Sequence, residues 1–470
     1  MSSPLTRSRF LVGSLVTATS GLLAAVPARG LEETALDRYV ATPDPHYGYR
    51  MVNALASDGC TAYVLEMTSQ RWREATEVDR PIWKHWLTIV EPDVVRTNIG
   101  ALIVSGGSNG DRPSARIDAA LALLAKKTHS VVCELNVVPN QPLTFAGEES
   151  ARSEDALVAY SWDKYLRSGD DTWPLRLPMT KSVVRAMDTV TAFCGSDAGR
   201  GVLVDRFVVG GSSKRGWTTW TTAAVDRRVV GIVPIVIDVL NIEPSALHGY
   251  RAYGFWPPAL RAYEEIGIMK WMGTPQMNAL LKIEDPYSYR ARFTMPKFII
   301  NATGDQFFPP DSSRYYFAGL PGETFLRYVP NCDHSLRGAA VESGHSVLAF
   351  YHSIIDGTPR PRLSWRFDER AIRVQTVTPP IGVKLWRALN PTARDFRLEA
   401  IGKAFTSSYL HDQGGGMYVG SIAQPERGWA AYLVEMTYPS ETFDQFKVTT
   451  GVRITPDILP FAAPTFSRPS

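Results

Sequence analysis

From about residue 60 to 357, runs of consecutive apolar residues alternate with stretches whose apolar positions recur at helical spacing. TNIGALIVSGG (97–107), SVVCELNVV (130–138), DRFVVGG (205–211), VVGIVPIVIDVL (229–240), MPKFIINATGD (295–305) and TFLRYVPN (324–331) read as buried strands. RIDAALALLAKKTH (116–129), PMTKSVVRAMDTVTAFCG (178–195), WTTWTTAAVDR (217–227) and GAAVESGHSVLAFYHSII (338–355) read as helices. A strand that is apolar on both faces needs cover on both. The alternation therefore predicts a mostly parallel sheet between two layers of helices.

Two segments interrupt the rhythm. Residues 139–177 and 241–294 are rich in Trp, Tyr and Pro and show no clean strand. Insertions after the carboxyl ends of parallel strands sit over the crevice where ligands bind, so both are expected as cap or pocket-wall elements. Their aromatic faces would also suit a carbohydrate. After GTPRPRL (357–363) the pattern shortens to LSWRF, AIRVQTV, GVKLWRA, FRLEAI, MYVGSI, WAAYLVEMTY and FKVTTGVRI. Short alternating runs between Gly and Pro turns predict a small β-sandwich over 363–460.

The amino terminus belongs to neither region. Arg7 and Arg9 precede the apolar run FLVGSLVTATSGLLAAV, which ends at Pro27-Ala28-Arg29. That is the layout of a signal peptide over residues 1–28, which leaves 29–358 as the α/β domain. A secreted or periplasmic protein follows, with no membrane span once the signal is removed. The four cysteines, Cys60, Cys133, Cys194 and Cys332, suit that compartment and allow three disulfide pairings. The net charge of +3 and the absence of a basic block argue against a nucleic-acid partner. The eight histidines form no tight cluster with cysteine or acid, so neither a metal nor another cofactor is expected.

The chemistry concentrates at FVVGGSSKRGWTTW (207–220), where a strand runs into two glycines, two serines and then a helix. Gly211-x-Ser213-x-x-Gly216 fits a nucleophile elbow, a sharp turn that pushes one side chain out above the sheet, with Ser212 as the poorer alternative. A serine hydroxyl needs a base, and the base needs an acid to orient it. His334, after the strand TFLRYVPN, is the candidate base. Asp305, after MPKFIINATG, is the candidate acid, with Asp238 at the end of VVGIVPIVID as its rival. The backbone N–H of Lys214 and the loop containing Gly106 and Gly107 are the candidate oxyanion donors. The Lys214 or Arg215 cation could attract an acidic substrate.

GGSSKRGWTTW, together with VPNQPLTF, PMTKSVVRAMD, DPYSYR, MPKFIINATGDQFFPPDSS, VPNCDHSL and LWRALNPTARDFRL, resembles the PhoPQ-activated pathogenicity-related proteins over about residues 45 to 450. Eukaryotic relatives of that family resemble autocrine proliferation repressors. The resemblance implies an exported α/β-hydrolase with cap-like insertions and a C-terminal β domain. The serine of SKRGW is then Ser213, the acid of GDQFF is Asp305 and the histidine of PNCDH is His334. Ser212 stands where alanine is expected. The same G-x-S-x-x-G spacing resembles glucuronoyl esterases, which carry cysteine and arginine in place of Ser212 and Lys214, and implies an ester with some negative character. The expected reaction is carboxylic-ester hydrolysis of a small-molecule, glycan or peptide ester, with peptide hydrolysis second. The alternative is a secreted binding or signalling protein on a hydrolase scaffold.

Overall fold

A computed structural model describes residues 33–440 and 445–466; the expected signal peptide lies outside them. The strands are β1 (Gly48–Ser57), β2 (Cys60–Arg71), β3 (Ile82–Pro92), β4 (Ile99–Val104), β5 (Val132–Leu135), β6 (Arg206–Ser212), β7 (Val229–Ile235), β8 (Lys297–Ala302) and β9 (Thr324–Val329). They form a nine-stranded sheet in the order β1-β2-β3-β5-β4-β6-β7-β8-β9. β1, β2, β3 and β5 pair antiparallel, whereas β5-β4-β6-β7-β8-β9 is parallel throughout. The antiparallel strands β1 and β3 lie outside the runs that the apolar pattern marks.

The helices are α1 (Ala35–Ala41), α2 (Ala119–Thr128), α3 (Glu154–Ser168), α4 (Arg176–Cys194), α5 (Lys214–Val225), α6 (Ile242–Tyr253), α7 (Arg261–Glu265), α8 (Pro275–Glu284), α9 (Ala340–Ile355) and α10 (Leu398–Ile401). Alternate residues of a strand point to opposite faces. Accordingly Phe207 and Val209 of β6 join the core beneath α4 and α5, while Val208 joins the core that includes Leu121 and Phe350 of α2 and α9. This is the expected α/β-hydrolase layering. The 139–177 segment is more than a surface cap. Leu157, Val158, Ala159 and Leu166 of α3 are buried in the same core as α4 and α5.

The apolar run 229–240 is not one strand. β7 stops at Ile235, and Val236 turns with φ 47°. Ile237 and Val239 are apolar because they wall the cavity described below.

The carboxyl-terminal region is antiparallel. β10 (Leu363–Asp368), β11 (Ala371–Thr376) and β14 (Met417–Ser421) form one sheet. β12 (Gly382–Asn390), β13 (Thr406–Tyr409), β15 (Trp429–Pro439), β16 (Gln445–Thr449) and β17 (Arg453–Thr455) form the other. The two sheets pack closely: a Cβ on Gly420 would lie 2.8 Å from Val434 Cγ2 and 3.0 Å from Leu385 Cδ1. β9 ends the nine-stranded sheet, and an open strand edge invites pairing with other chains. Here the Tyr328 N–H donates to Thr449 Oγ1 of β16 at 2.9 Å. The four cysteines are buried free thiols, so the structure forms none of the three possible pairings.

Candidate active site

β6 delivers the chain to Ser213 in an unusual conformation, φ 57° and ψ −128°, and α5 begins at the next residue. A non-glycine residue with positive φ is costly, and such strain persists only where the surroundings over-determine it. The Ser213 N–H donates to the Ile235 carbonyl at 2.8 Å, and its own carbonyl accepts from Trp217 N at 2.9 Å. Strand and helix cross so tightly that a Cβ on Gly211 would sit 2.8 Å from the Arg215 carbonyl. One on Gly216 would sit 2.8 Å from the Gly211 carbonyl. The second glycine of the turn is therefore Gly216, three residues after the serine, and Arg215 is free to be a large side chain.

His334 Nε2 lies 2.9 Å from Ser213 Oγ, and its Nδ1 lies 2.7 Å from Asp305 Oδ2. A carboxylate only accepts, so the shared proton sits on Nδ1 and Nε2 is left to accept from the serine hydroxyl. Asp305 is 3% exposed, and its other oxygen accepts from Phe307 N at 2.8 Å. The His334 backbone N–H donates to Gln306 Oε1 at 2.9 Å, and the Phe307 ring lies 4.4 Å from the imidazole, centroid to centroid. The three groups that the sequence singles out thus form one hydrogen-bonded series over the carboxyl ends of β6, β8 and β9.

The other candidates are placed differently. Ser212 is exposed at the end of β6. Asp238 does not reach His334: it is buried, and its two oxygens lie 2.6 Å from Tyr316 Oη and Tyr328 Oη. Burial pushes its carboxyl up to about 8. Gly106 and Gly107 do not line the cavity on which Ser213 opens. Gly106 instead makes room for Arg215, whose Nη2 would be 2.7 Å from a Cβ there. The Gly106 carbonyl accepts from Val137 N at 2.8 Å.

Both cations beside the serine are neutralised from within, which corrects the expectation that they draw in an acid. Lys214 Nζ lies 2.6 Å from Glu154 Oε2 and 3.2 Å from Asp155 Oδ2. Arg215 grips Glu154 through Nη1 and Nη2 at 2.9 and 2.7 Å and the Val138 carbonyl through Nε at 2.5 Å. Burial works to raise the Glu154 carboxyl, but Arg215 and Lys214 beside it hold it well below the usual carboxylate range. Gln141 accepts from the Glu154 N–H at 2.8 Å and donates to its Oε1 at 2.6 Å. VPNQP is thus the bracket for this ion cluster. Nothing local in the sequence announces Glu154 or Asp155; only the adjacent cations Lys214 and Arg215 imply that anions must come from somewhere. Beneath the turn, the fully buried Arg176 donates through Nη1 to the Lys214 carbonyl at 2.7 Å and to Thr218 Oγ1 at 2.9 Å. This fixes the first turn of α5.

Ser213 and His334 open on a cavity that, counted together with the open solvent at its mouth, encloses about 1030 Å³. Its wall is supplied by the 139–177 and 241–294 segments, by residues 237–239 and by Phe307, Phe308 and Pro309. Both insertions therefore serve as pocket wall.

The carboxyl-terminal region braces the loops that carry Asp305 and His334. The Leu398 N–H donates to the Gly304 carbonyl at 3.0 Å, one residue before Asp305. Asn331, three residues before His334, donates from Nδ2 to the Phe405 carbonyl and accepts from the Phe405 N–H, both at 2.9 Å. Arg394 Nη2 donates to Asp311 Oδ2 at 2.7 Å, and Asp311 Oδ1 lies 2.9 Å from His248 Nε2 on α6, which lines the cavity. Burial opposes ionisation of Asp311, yet His248 and Arg394 hold its carboxyl far below the usual range.

Among the described residues no group of three or more His, Cys, Asp or Glu could hold a metal ion, and no helix is long and apolar enough to cross a membrane.

The family model for the PhoPQ-activated pathogenicity-related protein matches residues 36–397. Autocrine proliferation repressor protein A of Dictyostelium discoideum is 37% identical over 458 residues, covering 92% of each chain. Among solved structures, acetyl xylan esterase 1 from Thermoanaerobacterium sp. JW/SL YS485 matches with TM-score 0.46 and 16% identity, covering 67% of this chain and 92% of that one. An acetyl xylan esterase from Paenibacillus sp. R4 matches with TM-score 0.47 and 12% identity, covering 68% and 92%. The Pyrococcus horikoshii acylaminoacyl peptidase matches with TM-score 0.40 and 12% identity, covering 68% and 51%.

Proposed function

The chain belongs to the PhoPQ-activated pathogenicity-related protein family, and from that premise we propose that it is an exported serine hydrolase that cleaves carboxylic esters. The observation that carries this reading is the unbroken series Ser213–His334–Asp305 at the wall of a cavity.

Ser213 Oγ attacks the ester carbonyl while His334 Nε2 takes its proton, and Asp305 holds the imidazole in the required tautomer. The oxyanion faces the start of α5, where the first backbone N–H groups lack intrahelical partners; Lys214 N–H is the nearest in sequence. Collapse expels the alcohol with the proton from His334 and leaves an acyl-serine. Water then attacks the acyl carbon, His334 takes its proton, and the carboxylic acid leaves as the serine is restored. One ester and one water become one acid and one alcohol. Export rests on the charged and apolar pattern of residues 1–28.

Labelling by a fluorophosphonate probe tests this. Wild-type protein is expected to label, and Ser213→Ala to lose both labelling and ester turnover, by about 10⁴-fold or more, with its melting temperature unchanged. Labelling that persists in Ser213→Ala removes the assignment. A peptidase would cleave amide analogues of the same acyl groups with comparable kcat/KM. The relative's name supports a rival reading, a secreted signalling protein on a hydrolase scaffold. Under that reading Ser213→Ala keeps its full biological effect.

A further inference from the structure

The cavity says more about the substrate than the reacting groups do. Beyond Ser213 its wall is built from Trp162, Trp217, Ile242, Met272, Met277 and Leu281, on four different helices and the loop between them. Lys214 is the one Lys or Arg among the described lining residues, and Glu154 and Asp155 already hold it. Asp155, Asp238 and Glu243 put acidic side chains at the same wall. A negatively charged substituent would find no partner and would lose its hydration, at a cost no nearby group offsets. An apolar one would replace water against aromatic and methionine side chains, and methionine adapts to irregular shapes.

We propose, building on the hydrolase reading, that the substrate is an uncharged ester carrying an apolar chain much larger than acetyl, which fills this cavity while its carbonyl lies at Ser213. The negative character implied by the likeness to glucuronoyl esterases is thereby set aside. The chain could belong to either half of the ester, and the two sources are separable. A p-nitrophenyl series from acetate to decanoate varies the acyl side. Acetate esters of alcohols of matching length vary the other.

Each buried methylene is expected to raise kcat/KM about fourfold until the cavity is full. Octanoate should therefore exceed acetate by about a hundredfold or more in one of the two series. Leu281→Trp, which narrows the cavity, should lower the octanoate-to-acetate ratio at least about tenfold. A flat or falling dependence in both series overturns the proposal. So does a p-nitrophenyl hemiglutarate cleaved as well as the valerate.

A binding arm keeps this apart from the hydrolase reading. In Ser213→Ala, octanamide should change tryptophan fluorescence through Trp162 and Trp217 at concentrations where acetamide and glutaramate do not. If the wild type takes no probe and cleaves no ester while octanamide binds, the hydrolase reading fails and the apolar site stands. If the probe labels Ser213 and octanamide does not bind, the reverse holds.

Discussion

The parallel sheet and the carboxyl-terminal sandwich meet at the loops bearing Asp305 and His334, and they contribute different things there. The sheet supplies position. β6, β8 and β9 end on one rim, so a serine, a carboxylate and an imidazole far apart in the chain arrive together. Among its described residues the sandwich adds no side chain to the series Ser213–His334–Asp305. It supplies restraint, through Leu398 on Gly304, Phe405 on Asn331, Arg394 on Asp311 and Thr449 on the edge of β9. A loop held by water alone would sample many conformers, and a misplacement of about 1 Å at a reacting group can cost about 10²-fold in rate. The lesson is that the sandwich shapes the site although none of its described residues lines the cavity. Variants that weaken its contacts should therefore move catalysis as well as stability.

The largest effect is expected at Arg394. It is fully buried against Asp311, which also holds His248 of the cavity-lining α6. Arg394→Met removes one partner of a buried pair and leaves a desolvated carboxylate with His248 and Arg314. Stability should fall by about 3 kcal/mol or more. The urea midpoint should drop while the slope of the transition is unchanged. A loss below about 1 kcal/mol would mean that the sandwich merely sits beside the sheet domain.

A smaller effect, closer to the chemistry, is expected at Asn331. Its φ is 59°, a left-handed conformation that Asn and Asp tolerate better than most residues. Asn331→Asp keeps that tolerance and the acceptor for Phe405 N–H but removes the donor to the Phe405 carbonyl. The lost hydrogen bond should cost about 1–3 kcal/mol. Because His334 lies three residues on, kcat should fall about tenfold with little change in KM. A change in KM alone, with kcat intact, would contradict the bracing role.

How much of this was legible follows the same division. Ser213, Asp305 and His334 could be read because each sits just past an apolar run, and apolar runs report strands. The same signal misled at 229–240. Residues past Ile235 are apolar for the cavity's sake, so Asp238 looked like a strand-end acid when the strand had already stopped. β1 carries mostly exposed residues and so left no buried run to read. The ion cluster and the braces were invisible for another reason. Glu154 with Lys214, or Asn331 with Phe405, are contacts between distant residues, and no local period encodes them. VPNQP and LWRALNPTARDFRL stood out only as family likeness. The structure supplies their physical content: Gln141 grips Glu154, and Arg394 grips Asp311.

Asp238 sharpens the comparison from the sheet's side, since it shows how a carboxylate near the same rim behaves when two phenols hold it in place of an imidazole. Burial pushes its carboxyl up to about 8, against 3.8 for an ordinary aspartate. Between those values the folded chain holds a proton that the unfolded chain has released. The stability tied to this proton is fully present below about pH 4 and is lost as pH rises through about 8. Asp285, raised by burial to about 6, contributes in the same direction but is spent earlier. The window from about pH 6.5 to 7.5 therefore isolates Asp238. There the unfolding free energy of wild type should lose about 1.4 kcal/mol per pH unit relative to Asp238→Asn, which carries no titrating proton. Urea unfolding of both proteins at the two ends of that window measures the difference. Parallel slopes would place the carboxylate in its ionised form, with Tyr316 and Tyr328 both donating. The two phenols would then outweigh its burial.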